Sequence, residues 1–77
     1  MTSLTILSIA FQNVAGHISN LEVVKKWVEE IIAAQASLEN SISELRSRSE
    51  QEDVTFRTDI RILINEIEHL SREKTSG

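Results

Sequence analysis

Apolar side chains recur at steps of three and four along almost the whole chain, and no proline interrupts them. The walk runs through Leu4, Leu7, Phe11, Val14, Ile18 and Leu21. It continues through Val24, Val28, Ile31, Leu38, Ile42 and Leu45, and resumes at Phe56, Ile60, Leu63, Ile67 and Leu70. Steps of three and four keep side chains on one face of a helix, whereas a strand would need strict alternation. One seven-residue series passes through Leu7, Val14, Leu21, Val28, Gln35, Ile42, Ser49, Phe56, Leu63 and Leu70, and only Gln35 and Ser49 are polar. That is the seam of a coiled coil or helical bundle. The expected fold is all-α, a small bundle or coiled coil of two or three amphipathic helices per chain that associates with itself. One helical domain is expected over residues 1–77.

The pattern slips twice, and each slip marks a stutter in a continuous helix or a break between helices. At the first, Gly16 suits the left-handed residue that closes a helix, and Ser19 with Glu22 has capping-box spacing. Helix 1 is therefore expected at about 3–15 and helix 2 at about 20–46. At the second slip, residues 47–53 read SRSEQED, which leaves Ser49 and Glu52 at core stops and favours a turn. Glu44, Arg48 and Glu52 form an i,i+4 ladder that argues instead for unbroken helix from about 20 to 72, roughly 80 Å long. If the turn forms, helix 3 covers about 54–72, with Asp53 as its cap and residues 73–77 as a frayed tail.

Length limits what this pattern can achieve. Seventy-seven residues bury a modest fraction of their surface, and there is no cysteine to staple them. Metal sites built on cysteine are excluded with it, and no cofactor is expected. Eight Lys and Arg stand against twelve Asp and Glu, for a net charge of −4, so no basic field exists to hold a nucleic-acid backbone. Three aromatic residues, Phe11, Trp27 and Phe56, are too scattered to stack bases. Residues 1–21 carry no Asp, Glu, Lys or Arg, yet Gln12, Asn13, Gly16, His17, Ser19 and Asn20 interrupt them too often for a membrane span. They also lack the basic start of a secretory signal, and a soluble, cytoplasmic chain is expected.

Side chains that carry chemistry are few. Glu66 and His69 have the Glu-x-x-His spacing of carboxylate-bridged metal bundles, but only one copy is present and His69 falls outside the apolar stripe. A solvated His69 is the expectation, with a metal-binding bundle as a remote alternative. His17 sits at the first break, where it reads as a polar loop residue. No nucleophile–base arrangement and no glycine-rich phosphate loop is present, so no catalytic residue is assigned. Gln35, at a seam stop, would set register at some cost in stability or mark a gap in the core.

Two features point to protein contacts. Helix 1, with Leu4, Ile6, Leu7, Ile9, Ala10 and Phe11, is apolar over most of its circumference, so it needs more than one neighbour. Trp27 lies off the main seam, as one more core residue or as an anchor for a partner. The expected role is a non-enzymatic interaction module, foremost a coiled-coil homo-oligomerisation domain. Its contact surface would be the apolar walk, Leu4 to Leu70 with Trp27. The alternative is a small helical chaperone or adaptor that shields a partner's apolar helix, similar in size alone to the short co-chaperones of bacterial secretion needles.

Overall fold

A computed structural model describes the backbone of residues 3–76 and the side chains of residues 6–72. Helix α1 is Ser3–Val14, followed by a short 3-10 turn at Ala15–His17. Then come α2 (Leu21–Ala33), α3 (Leu38–Glu50) and α4 (Val54–Ser76). The four helices pack against one another in a small all-α bundle, and the described residues form no strand. The longest extent is 37 Å, which excludes a continuous helix of roughly 80 Å from residue 20 to 72. The radius of gyration is 11.6 Å, close to the roughly 11.5 Å of a compact chain of this length.

The first break lies where the sequence places it, but other groups make it. Gly16 does not adopt a left-handed conformation, and a Cβ built on it would meet nothing within 4 Å. The chain leaves the 3-10 turn through an extended Ile18, whose N–H bonds the Ala15 carbonyl at 3.2 Å. Ser19 and Glu22 do not form the expected box. Asn20 is the N-cap residue of α2; its carbonyl accepts the Val24 N–H at 3.0 Å, but its side chain makes no capping bond to the helix. The Ser19 and Asn20 N–H groups just ahead of the helix are taken by Asp59, reaching across from α4.

The expected helix 2 over 20–46 is two helices. Ala34 remains helical, but Gln35 turns left-handed at φ 55° and its N–H bonds the Ile32 carbonyl at 3.0 Å. Ser37 then caps α3, its hydroxyl accepting the Asn40 N–H at 3.2 Å. Gln35 is thus an exposed helix-ending residue and neither sets a register nor leaves a gap in the core. Ala and Gln both favour helix, and neither Gly nor Pro marks the spot, so local propensity gives no warning. The break raises the helix count from the expected two or three to four.

At the second slip the turn forms, confined to residues 51–53. Asp53 is the cap expected there, with Oδ1 accepting the Thr55 N–H at 3.1 Å and the Thr55 hydroxyl proton. Ser49 is not lost from the core: it is buried and donates its hydroxyl proton to the Arg46 carbonyl at 2.9 Å. Helix α4 continues past 72 to Ser76. The fraying expected of residues 73–77 falls on positions whose side chains, and for Gly77 the backbone, lie outside the described residues.

One core unites the helices. Leu7, Val24, Leu45, Ile60, Leu63 and Ile67 are all but sealed from solvent, with Ile6, Ala10, Val14, Ile18, Val28, Ile31 and Ile64 close behind. Helix α1 packs chiefly on α4 and also touches α2 and α3. Three neighbours explain why its circumference is so apolar. The extra fold at Gln35 supplies a cover that a two- or three-helix chain would lack.

Candidate interaction surface

The residues expected to face a partner divide sharply. Leu7, Val14, Ile18, Val24, Val28, Ile31, Leu45, Ile60, Leu63 and Ile67 lie inside the chain's own core. Phe11, Trp27, Leu38, Ile42 and Leu70 are half-buried against that core, and Phe56 is half-buried on Trp27. Leu21 is exposed at 41%, and the side chain of Leu4 lies outside the described residues. The stripe that reads as an intermolecular seam is therefore mostly consumed within one copy.

What is left over gathers at one end of the bundle. Among the described residues the exposed large apolar side chains are Leu21 and Val23, each at 41%, and Val54 at 64%. Asn20 donates its amide to the Thr55 hydroxyl at 3.1 Å, which joins the start of α2 to the start of α4. One turn beyond Val23 on α2, Trp27 packs on Phe56 of α4 with ring centroids 5.3 Å apart and planes tilted by 35°. Val23 and Trp27 share a shallow hollow on α2 with Glu22, Lys26 and Glu30. Val23, Trp27 and Phe56 thus form a small apolar patch along α2 among its alternating charges, while Leu21, two residues before Val23, faces another side of the helix.

This end is tied together by a buried carboxylate that sequence reading did not single out. Asp59 is 1% exposed. Its Oδ1 accepts the Ser19 N–H at 2.9 Å, and Oδ2 accepts the Asn20 N–H at 2.9 Å and the Asn20 side-chain amide at 3.0 Å. A carboxylate at a helix start satisfies orphan donors and faces the positive end of the helix dipole. Its only sequence signal is an acid among the apolar stops of α4, next to Ile60, and that admits many readings.

The remaining polar contacts tie helices together at the surface. Arg48 bonds Glu30 of α2 at 2.6 Å and Glu44 of its own helix at 3.0 Å. The bond to Glu30, then that to Glu44, raises the Arg48 pKa further above its ordinary value. The Thr55 hydroxyl bond holds the Asp53 carboxyl below its usual pKa. Glu66, the carboxylate of the Glu-x-x-His pair, accepts the Asn13 amide at 2.9 Å and so links α1 to α4. No group of three or more His, Asp or Glu stands together in a metal-holding arrangement among the described residues. His17 is exposed in the 3-10 turn. No helix among the described residues is long and apolar enough to cross a membrane.

A second apolar hollow of about 350 Å³ lies between α3 and α4 at the end away from their turn, floored by Leu38, Ile42 and Ile67. Glu39, Glu68, Ser71 and Arg72 surround it. No protein-family model, curated protein or solved structure matches the chain.

Proposed function

We propose that this chain is a non-enzymatic protein-interaction module that pairs with a second copy of itself through the outer face of α2. The observation that carries the reading is exposed Val23 sharing one hollow with Trp27, which itself packs on Phe56. Clustered exposed apolar side chains with an aromatic anchor are what contact surfaces present, whereas scattered ones need no explanation.

The charges on α2 favour a second copy as occupant. A two-fold interface brings one patch against itself. If two α2 helices cross antiparallel along this face, Val23 of each copy meets Trp27 of the other, and Lys26 of each lies between the acidic Glu22 and Glu30 positions of its partner helix. Each copy thus supplies both halves of every pair. So small a patch covers less than the roughly 800 Å² per partner of a standard stable interface. The pairing is therefore weak, dissociating at micromolar concentrations or above.

Sedimentation velocity over a dilution series tests this. The wild type should shift from dimer to monomer on dilution. Val23→Glu, at an exposed position, should remain monomeric at every concentration with unchanged helix content. A wild type that stays monomeric at millimolar concentration, or a Val23→Glu variant that still dimerises, refutes the proposal. The adaptor reading draws on the Leu38–Ile42–Ile67 hollow, where an apolar side chain of a partner helix fits. It predicts a chain that is monomeric alone and binds an amphipathic helix at that hollow, with Ile42→Asp abolishing the binding.

A further inference from the structure

Three of the chain's eight cationic side chains converge on one groove although the protein as a whole is acidic. The groove lies beside the α3–α4 turn and holds about 200 Å³. Arg46 enters from α3, and Arg57 and Arg61 enter from successive turns of α4. No carboxylate oxygen of a described residue lies within 4.0 Å of any of the three. Arg57 acts on Asp53 only at longer range. Glu50 is the sole carboxylate in the lining, and Asn65 adds an amide that can donate. The inner wall is Ser49, Ile60 and Ile64, all buried.

Packing alone does not ask for this arrangement. Arg57 and Arg61 are an i,i+4 pair of like charge, which opposes helix formation. Their chain offers twelve carboxylates, yet these guanidinium groups are left without a close one, while Arg48 holds two. Buried Ile60 and Ile64 lower the local dielectric and strengthen attraction for an anion in the groove.

We infer that this groove binds the phosphoryl group of a small, soluble phosphomonoester. Three guanidinium charges less the one lining carboxylate leave +2, offset in part by Asp53 at longer range from Arg57, which suits a phosphate monoester of about −1.5 to −2 at neutral pH. Guanidinium forks reach phosphate oxygens in pairs, and a tetrahedral anion offers oxygens to forks arriving from three directions, where a planar carboxylate offers two. The volume admits the phosphoryl group and leaves its substituent outside.

Amide chemical shifts of the full chain, titrated with inorganic phosphate and with phenyl phosphate at constant ionic strength, test the site. Both should give saturating shifts at Ser49, Ile60 and Asn65, with acetate at least tenfold weaker. Arg61→Ala should weaken phosphate binding at least tenfold, while Lys25→Ala, on another face, leaves it unchanged. Arg46→Ala, on the facing helix, should weaken it comparably, so that a folding defect in either variant does not decide the matter. Equal shifts with acetate, non-saturating shifts, or indifference to both arginine substitutions overturn the inference. So does flotation with phosphatidic acid vesicles in the absence of any response to the free phosphates, which would place the anion in a membrane.

Discussion

Removing the Asp59 carboxylate should cost this small fold a large part of its stability. The side chain is 1% exposed and accepts three hydrogen bonds, two from the backbone at the start of α2 and one from the Asn20 amide. Hydrogen bonds to a charged group are each worth about 1.5–3 kcal/mol. Water can take over some of the donors in Asp59→Ala because the bonded groups are only part-buried, so the three losses do not add in full. Loss of the carboxylate from the helix start removes about another 0.3–1 kcal/mol. The expected destabilisation is about 3 kcal/mol for Asp59→Ala. For Asp59→Asn, which keeps one acceptor but turns an amide donor toward another donor, it is about 2 kcal/mol. A chain of this length has roughly 4–12 kcal/mol in total. The assay is urea unfolding followed by Trp27 fluorescence, since Trp27 packs on Phe56 at the same end of the bundle. With a slope near 1 kcal/mol per molar urea, the Asp59→Asn midpoint should fall by about 2 M. The Ser19 and Asn20 amide resonances should move in the same variant. A midpoint change below about 0.5 M, with those two resonances unmoved, refutes the clamp.

Two substitutions should stabilise in opposite chemical directions. Gln35→Gly should gain about 0.5–1 kcal/mol, because φ 55° strains any residue with a Cβ. Gly16→Ala should gain about 0.4–1 kcal/mol, because its backbone is not left-handed and a Cβ meets nothing. Thermal melts of both check this, and a lower midpoint in either contradicts the assignment. Leu63→Ala, in the centre of the core, should lose about 2–5 kcal/mol in the urea assay. Acid titration should expose the Asp53 cap. Its carboxyl pKa is lowered in the folded chain by the Thr55 hydroxyl bond, so its contribution is complete above the unfolded value near 3.8 and disappears as pH falls through the folded value. Asp53→Asn should flatten the stability profile below about pH 4 and leave its slope near neutrality unchanged.

Much of the architecture is legible in the spacing of apolar residues. The steps of three and four place α1, the start of α2 and nearly all of α4, because tertiary packing rewards the same face that periodicity reveals. The first break and the Asp53 cap are legible too, since each falls where the apolar series slips. The division at Gln35 is hidden because Ala and Gln favour helix, and what it achieves, α3 folded back on α4, is a long-range contact. Ser37, ahead of Leu38, is the one local sign of it. Ser49 misleads for the opposite reason: a small hydroxyl bonded to its own helix fits a core that composition alone would deny it. Gly16 reads as a left-handed cap because glycine commonly fills that role, yet a 3-10 turn ends the helix here without one. The contact surface is the least legible part. Ten of the eighteen expected contact residues are covered by the chain itself. Val23 and Val54, which remain exposed, lie off the series that draws the eye. Periodicity identifies side chains that need covering and is silent on whether the cover is the same chain or another.

Isotope-filtered nuclear Overhauser spectroscopy on an equimolar mixture of carbon-13-labelled and unlabelled chains, at millimolar concentration, tests the central claim most directly. Cross-chain contacts should run from the Val23 methyl groups to the Trp27 indole, with none from Leu63 or Ile67 in the core. Cross-chain contacts from those core residues, or none from α2, would contradict a chain that seals its own seam and pairs through the outer face of α2.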